Sequence, residues 1–431
     1  MLSTASTHYH RFRRAALRLA GAGLIGSLLI GMPSLSVLAQ DEKISNSVME
    51  RQRPEVDAQG VRLGSFSLFP KIGLGVMSNS NIFATDVIEV DDLITMIKPE
   101  VILKSGWSRN RLELGFDLIA ARYSDVSTED YDDWRVWGDG TIDIGRGELA
   151  GFLRHADVHE PRTSPDNRRG IEPTLYTSDE LRIGYGQPFG QFSAGIEFKH
   201  RRLEFDDTIT LTGSIDNTDR DRDRNDLRIR IGHETSPALR PFVQFVATDV
   251  HYDRRFDRFG FERSSRGYDL VGGTDIDLTG RMSGEAFLGY ISRDYEDPRF
   301  STIDGPIFGG KITWNLTGLT TVIFSADRLI NGTTIVDAAG IFDTGFGIEV
   351  DHELLRNLIL SLDIAFNNED FQGIDRDDDL FSGGIEGIYM MSRYIDFRVG
   401  YLYQTRDTSP ADSGGFEYRI HRFFVGVEGK L

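Results

Sequence analysis

The chain has no cysteine, and among its 431 residues only 13 are proline and 4 tryptophan. Without cysteine no disulfide can staple it and no lipid anchor of the lipoprotein kind can be attached. An exported form therefore draws its stability from hydrogen-bonded ladders and burial. Positive charge is also scarce: 48 basic residues against 67 acidic ones give a net charge of −19. That balance argues against a nucleic-acid surface, which would be basic. The apolar run from Leu19 to Met32 falls short of the roughly 20 residues that a spanning helix needs.

What the chain does have is 46 glycines, 28 phenylalanines and 14 tyrosines, a composition suited to aromatic-rich strands with little helix. Its mean hydropathy of −0.29 does not exclude a membrane protein. In a barrel, lipid-facing and lumen-facing residues alternate, so the average looks polar.

Residues 1–39 carry Arg11, Arg13, Arg14 and Arg18 with no acidic residue, then the apolar run, then Pro33 and Val37-Leu38-Ala39. That order is a secretory signal peptide, with cleavage expected after Ala39. Removing four arginines takes the net charge from −19 to −23. Residues 40–62 have no sustained apolar period and are expected to be a flexible periplasmic lead-in. Residues 63–431 are expected to be one membrane domain.

The last stretch, FEYRIHRFFVGVEGKL, places Phe423, Val425, Val427, Gly429 and Leu431 on one face of a strand and Phe424, Gly426, Glu428 and Lys430 on the other. A terminal strand of this kind can zip against the first strand with one face in lipid. Upstream, short turns recur at 105–110, 145–148, 188–191, 235–241, 279–282, 317–320, 353–357 and 391–394, separated by longer acidic loops. The repeat of about 40 residues holds two long strands, not the four short ones of a propeller blade. The fold predicted is an all-β, transmembrane, antiparallel up-and-down barrel of about 18 strands (16–18).

Parity assigns faces. Phe192, Ala194, Ile196 and Phe198 are expected to face lipid, as are Leu227, Ile229 and Ile231; Leu358 to Phe366 in alternation; and Ile395, Phe397 and Val399. Their alternates include Glu197, Lys199, Arg201, Arg228, Arg230, Asp363, Asp396 and Arg398. A charge facing lipid at mid-depth costs roughly 2–4 kcal/mol, so these eight are expected to line the lumen. Trp107, Tyr123, Trp134, Tyr176, Tyr252, Tyr268, Trp314, Tyr389 and Tyr403 sit near predicted strand ends, where interfacial girdles belong.

No motif carries catalysis. There is no G-x-S-x-G elbow, and GYGQPFG at Gly184 to Gly190 misses dinucleotide spacing. The acidic runs Asp216 to Asp226 and Asp375 to Asp379 lack the sixth-position glycine and closing glutamate of a calcium loop, so they read as solvated outer loops among lipopolysaccharide phosphates. His155, Asp157 and His159 share a strand face without further ligands nearby. No catalytic, cofactor or metal residue is assigned.

Several segments carry a resemblance: RLGSFSLFPKIGLGVMSNSNIFATD, PEVILKSGWSRNRLELGFD, EDYDDWRVWGDGTIDIGRGELAG and the loop containing SPDNRRGIEPTLY. From about Leu63 to Leu431 the chain resembles a proteobacterial outer-membrane barrel family known as putative β-barrel porin 2. Members commonly accompany genes for exopolysaccharide or capsule synthesis and export. The resemblance implies residence in the Gram-negative outer membrane and a role in passing polymer through it, with no assigned functional residues. Leu431 departs from the usual terminal phenylalanine. The leading expectation is a conduit or accessory for polysaccharide export; a general diffusion porin for small solutes is the alternative, and a barrel-wall enzyme the third. Expected partners are outer-membrane lipid and lipopolysaccharide, the barrel-assembly machinery, and, for export, polysaccharide and periplasmic components.

Overall fold

The computed structural model describes residues 47–431 apart from 279 and 412. The signal peptide assigned to residues 1–39, and residues 40–46 of the lead-in, lie outside the described residues.

Eighteen long strands run in chain order: β1 Phe66–Asn79, β2 Asp92–Ser105, β3 Arg111–Tyr123, β4 Tyr131–Ile144, β5 Gly147–His159, β6 Leu175–Phe189, β7 Phe192–Phe205, β8 Arg222–His233, β9 Leu239–Tyr252, β10 Ser265–Leu278, β11 Met282–Tyr295, β12 Ile303–Thr317, β13 Thr320–Asn331, β14 Gly340–Leu355, β15 Leu358–Gln372, β16 Asp377–Met390, β17 Ile395–Ser409 and β18 Tyr418–Lys430. Each pairs antiparallel with the next, and β18 returns to β1 from Lys71 opposite Lys430 to Asn79 opposite Arg422. The ring is closed, which removes the unpaired edges that an open sheet would expose. A short strand, Val61–Leu63, folds back on the start of β1. A small hairpin, Thr208–Thr210 with Gly213–Ile215, stands apart from the ring in the loop after β7.

Period-two alternation decides which side of the wall each residue meets. Ile196, Phe198, Ile229, Ile364, Phe397 and Val425 are exposed on the outer face. The alternates point inward and are mostly buried and polar. The eight short turns expected from the sequence all form, at one rim; nine connections form the other rim. At the short-turn rim Gly145 takes φ +64°, the left-handed conformation a two-residue hairpin requires. Within the wall, a side chain at Gly115 would collide with the Trp137 ring, so glycine there makes room for the indole from the neighbouring strand.

Two expectations need correction. Tyr252 and Tyr123 do not join an outer girdle: Tyr252 is buried beneath the Arg222 guanidinium, and Tyr123 packs on an interior cluster of Met77, Ile94 and Tyr131. Trp107, Tyr268, Trp314 and Tyr389 are exposed. The lead-in is not loose where it is described. Val48 and Val56 are buried against Ile359, Ile388 and Met390, which face the ring's interior at the short-turn rim. Two isolated valines carry no periodic signal; their partner surface comes from strands 300 residues downstream.

Candidate functional site

The interior is lined by charge, distributed unevenly. On β5 to β8 the inward positions include Arg154, Arg182, Lys199, Arg201, Arg224 and Arg228; on β13 to β16 they include Asp327, Asp343, Asp351, Asp363, Glu369 and Asp378. A basic wall thus faces an acidic one across the bore. Field lines between walls of low dielectric are focused through such a passage.

The eight charged residues picked out by parity alternate with the exposed apolar positions of their strands, and most are engaged in ion pairs. Arg228 donates to Glu197 at 2.7 Å, and Lys199 stands 3.8 Å from Glu180. Arg230 bridges to Asp275 at 2.9 Å and Glu285 at 2.8 Å, its guanidinium 3.5 Å above the Phe242 ring. Asp396 accepts from Lys430 at 2.5 Å, and Arg398 reaches Glu386 at 3.3 Å and Glu428 at 3.8 Å. Asp363 lies opposite Glu349. Arg201 makes no ion pair among the described residues.

At the long-loop rim the 160–174 loop crosses the opening. It leaves the wall between β5 and β6, and its Asp166 accepts hydrogen bonds from Thr333 Oγ1 at 2.8 Å and Thr334 N at 2.9 Å in the loop between β13 and β14. The two anchorages are eight strands apart in a ring of eighteen, nearly opposite. Burial alone would raise the Asp166 carboxyl; the Arg220 charge and the two hydrogen bonds outweigh it and hold the group below the ordinary carboxylate value. Arg168 donates to Thr334 Oγ1 at 3.0 Å, and Arg169 to Ala84 O at 3.2 Å while lying 4.1 Å over Phe416. At its base the loop is held by Arg162, paired with buried Glu129 through bonds of 3.0 and 2.5 Å, and by Glu160, which accepts from Arg220 at 2.5 and 3.1 Å. Both are forked guanidinium–carboxylate contacts, the geometry that fixes orientation as well as charge.

The opposite anchorage leans in to meet this strap. Pairing between β12 and β13 stops at Gly309 opposite Asp327, whereas β13 and β14 stay paired to Asn331 opposite Ile341. The freed tip of the β13–β14 hairpin packs against the inner wall: Gly340 against Tyr295 and Ile303, Phe342 against Gly305, and Ile330 within a cluster holding Phe242, Val271, Ile291 and Ile307. Arg263, 2% exposed, pins the loop at the tip, donating to Thr333 O at 3.0 Å, Ile335 O at 2.9 Å and Ala338 O, while Asp257 balances its charge at 2.8 Å. Ala84, Arg169 and Asp337, the non-glycine residues with positive φ among those described, all sit in these converging loops. Such conformations cost roughly 1–3 kcal/mol each and persist where the surroundings enforce them.

At the short-turn rim the docked segment is held by polar contacts too. Val48 N donates to Thr321 Oγ1 at 2.9 Å, and Arg53 and Arg51 pair with Glu353 at 2.9 and 3.2 Å.

The metal candidates dissolve. His155 bonds Asp179 at 2.6 Å and His159 bonds Asp133 at 2.9 Å, two separate pairs. Among the described residues no group of three or more metal-ligating side chains could hold an ion. The acidic runs are structural as well. Asp219 is buried under Arg258 at 2.9 Å, and Asp378 accepts from Arg376 and lies 3.5 Å from Arg406, whose other partner is Glu369 at 3.0 Å. Sequence reasoning missed Arg162 and Glu129, which anchor the strap, and Arg263, which pins the tip that meets it. Nothing local distinguishes them from other loop charges.

A closed ring of strands, apolar outside and charged inside, with short turns at one rim and inward-folded loops at the other, is an outer-membrane β-barrel of the porin type. By the rule for such barrels the short-turn rim faces the periplasm. The chain belongs to the family described as putative beta-barrel porin 2, whose sequence profile matches residues 53–431. No curated protein matches it in sequence. Among solved structures it is similar to Pseudomonas aeruginosa OpdO, at 12% identity over 86% of this chain and 98% of that one, with a TM-score of 0.45. Pseudomonas aeruginosa OccK2 (OpdF), solved in complex with glucuronate, matches at 11% over 86% and 100%, with a TM-score of 0.45. Acinetobacter baumannii OccAB3 matches at 10% identity over the same shares, also with a TM-score of 0.45.

Proposed function

We propose that the protein is a diffusion channel for small, charged solutes. The observation that carries this reading is the strap across the outer mouth, tied at its base through the buried pairs Arg162–Glu129 and Arg220–Glu160 and at its far end, through Asp166, to the inward-folded β13–β14 tip. A small solute needs only a gap beside the strap, lined by charges that exchange hydrogen bonds with it. A polysaccharide in transit would require the strap to leave both anchorages and stay away for the length of the polymer. Breaking one buried pair alone costs about 3–5 kcal/mol. The family's description as a porin supports the same reading and lends nothing to an enzyme.

The test is reconstitution of the full barrel in planar bilayers and liposomes. Steady ion conductance, with uptake of neutral sugars falling steeply as solute size rises, is the expected result. Absence of conductance, together with polysaccharide retained in the periplasm of a deletion strain and released again on complementation, would replace the porin by the export conduit.

A further inference from the structure

Charge on the outward face of the wall collects at the outer ends of the strands, and much of it cancels in pairs. Arg122 pairs with Asp132 at 2.8 Å, His155 with Asp179 at 2.6 Å, Arg202 with Asp223 at 2.9 Å and Arg266 with Asp249 at 2.8 Å. Arg419 and His421 on β18 depart from this. Both are exposed, and among the described residues neither has a carboxylate within ion-pair distance.

Their neighbours in sequence fix where they point. Tyr418 and Ile420, 2% and 1% exposed, are buried with Ala84 on the inner side, so alternation turns Arg419 and His421 outward. The strand end is held from both sides: His421 N donates to Ser80 Oγ at 2.9 Å, and Asn81 Nδ2 donates to Arg419 O at 3.2 Å. Below them the same face runs through Phe423 and Val425, both exposed. From mid-wall to outer rim that face reads apolar, aromatic, cationic. An outer leaflet presents the matching order of acyl chain, interface and phosphate.

The imidazole rests on an aromatic platform. It lies 5.0 Å from the Tyr403 ring, and Tyr401, 4.6 Å from Phe423, bonds its Nδ1 at 2.8 Å. With the Tyr401 hydroxyl donating to Nδ1, the ring's hydrogen sits on Nε2, which has no partner among the described residues and can donate to an oxyanion. Arg419 adds a guanidinium fork, the geometry that matches phosphate. Opposite it on β17 stands Thr405, a hydroxyl and no charge. Acidic residues begin one step beyond, with Glu417 ahead of the strand and Asp407 facing Asp379 across β17 and β16. They bound the patch, since like charge repels phosphate there.

We propose that Arg419 and His421 bind a lipid A phosphate of the lipopolysaccharide leaflet and seat the barrel's closing seam in it. The site depends on the barrel's place in the outer membrane and not on what crosses the bore, so it stands or falls apart from the porin reading.

The full-length barrel in detergent is mixed with diphosphoryl lipid A, with the same lipid stripped of its phosphates, and with inorganic phosphate, and bound molecules are counted by native mass spectrometry. Saturable binding of diphosphoryl lipid A is expected, at least about tenfold tighter than that of the stripped lipid. Arg419→Gln should weaken it about tenfold, the loss expected for one charge-assisted hydrogen bond. His421→Phe, which keeps the ring stack and removes Nε2, should weaken it less. Arg266→Gln, whose arginine also faces outward but sits on Asp249, should leave it unchanged and so controls for a general loss of positive charge. Should Arg419→Gln not assemble, judged by heat-modifiable migration, His421→Phe carries the test. Equal binding of stripped and diphosphoryl lipid, affinity unaltered in both β18 variants, or a loss in Arg266→Gln as large as in Arg419→Gln overturns the site. Inorganic phosphate that displaces the lipid at equal concentration overturns the assignment to lipid and gives the pair to a free anion.

Discussion

The segments that fold in at the two mouths of this barrel differ in how much apolar burial holds them. At the outer mouth the strap of residues 160–174 is held by buried ion pairs and hydrogen bonds, and it carries backbone strain at Arg169. At the periplasmic mouth residues 47–57 dock by apolar burial, Val48 and Val56 on Ile359, Ile388 and Met390, joined by Val48 N on Thr321 and by Arg51 and Arg53 on Glu353. Ion pairs are directional and fail abruptly when one partner is lost; apolar docking is tolerant and fails by degrees. The outer strap is therefore held where directional pairs dominate, and the inner segment where apolar packing shares the work.

The comparison breaks most sharply at Glu129. Glu129→Ala leaves Arg162 buried and unpaired, which costs about 3–5 kcal/mol locally. Single-channel conductance should rise and become noisy as the strap leaves the wall, and exchanging the two residues, Glu129→Arg with Arg162→Glu, should restore the quiet state. An unchanged conductance would mean the strap does not limit the bore.

Ile359→Ala probes the other mouth. Truncating this buried side chain, 2% exposed, removes about 2–5 kcal/mol of packing, toward the lower end where the surroundings can collapse. Trypsin should then cut after Arg51 in a barrel that still migrates as folded, while the conductance changes expected for Glu129→Ala stay absent. A variant as resistant as the wild type would show that Arg53–Glu353, not the apolar contact, holds the segment.

Ile229→Arg separates both mouths from the wall itself. A cation placed on the lipid face costs roughly 2–4 kcal/mol at mid-depth. The fraction of folded barrel in a urea titration should fall with neither strap nor inner segment released.

Asp166→Asn is the gentlest cut, removing a charge but keeping a hydrogen-bond acceptor, with an expected loss of about 1 kcal/mol. Here pH gives a parallel test. Because the folded Asp166 carboxyl sits below its ordinary value, its contribution is present above the unfolded pKa of about 3.9 and is lost as pH falls through the lower folded value. Conductance of the wild type should therefore hold steady from neutral pH down to about 4 and rise below it. In Asp166→Asn that acid limb should be blunted.

How much could be read before folding differs between wall and mouths. Strand number, turn positions and the face of each residue are local: a two-residue period and a turn signal suffice, as Phe423, Val425 and Val427 against Phe424 and Glu428 show. Placing Glu197 and Arg228 on the same inner face needed only parity. That they bond each other needed the register of β7 with β8. The strap was out of reach, because Asp166 and Thr334 are 168 residues apart and nothing in either loop announces the other. The same holds for Val48 and Ile359, and for Arg201, which parity marks as inward but only cross-strand register sets between Glu180 and Arg224.

A closed barrel follows from the pattern alone, since alternating residues can satisfy lipid on one face and water on the other only if every backbone group is paired around a ring. Only the tertiary structure decided which charges cancel and which loops close the mouths. Those outcomes depend on distances between segments remote in the chain, and a periodic pattern carries no information about them.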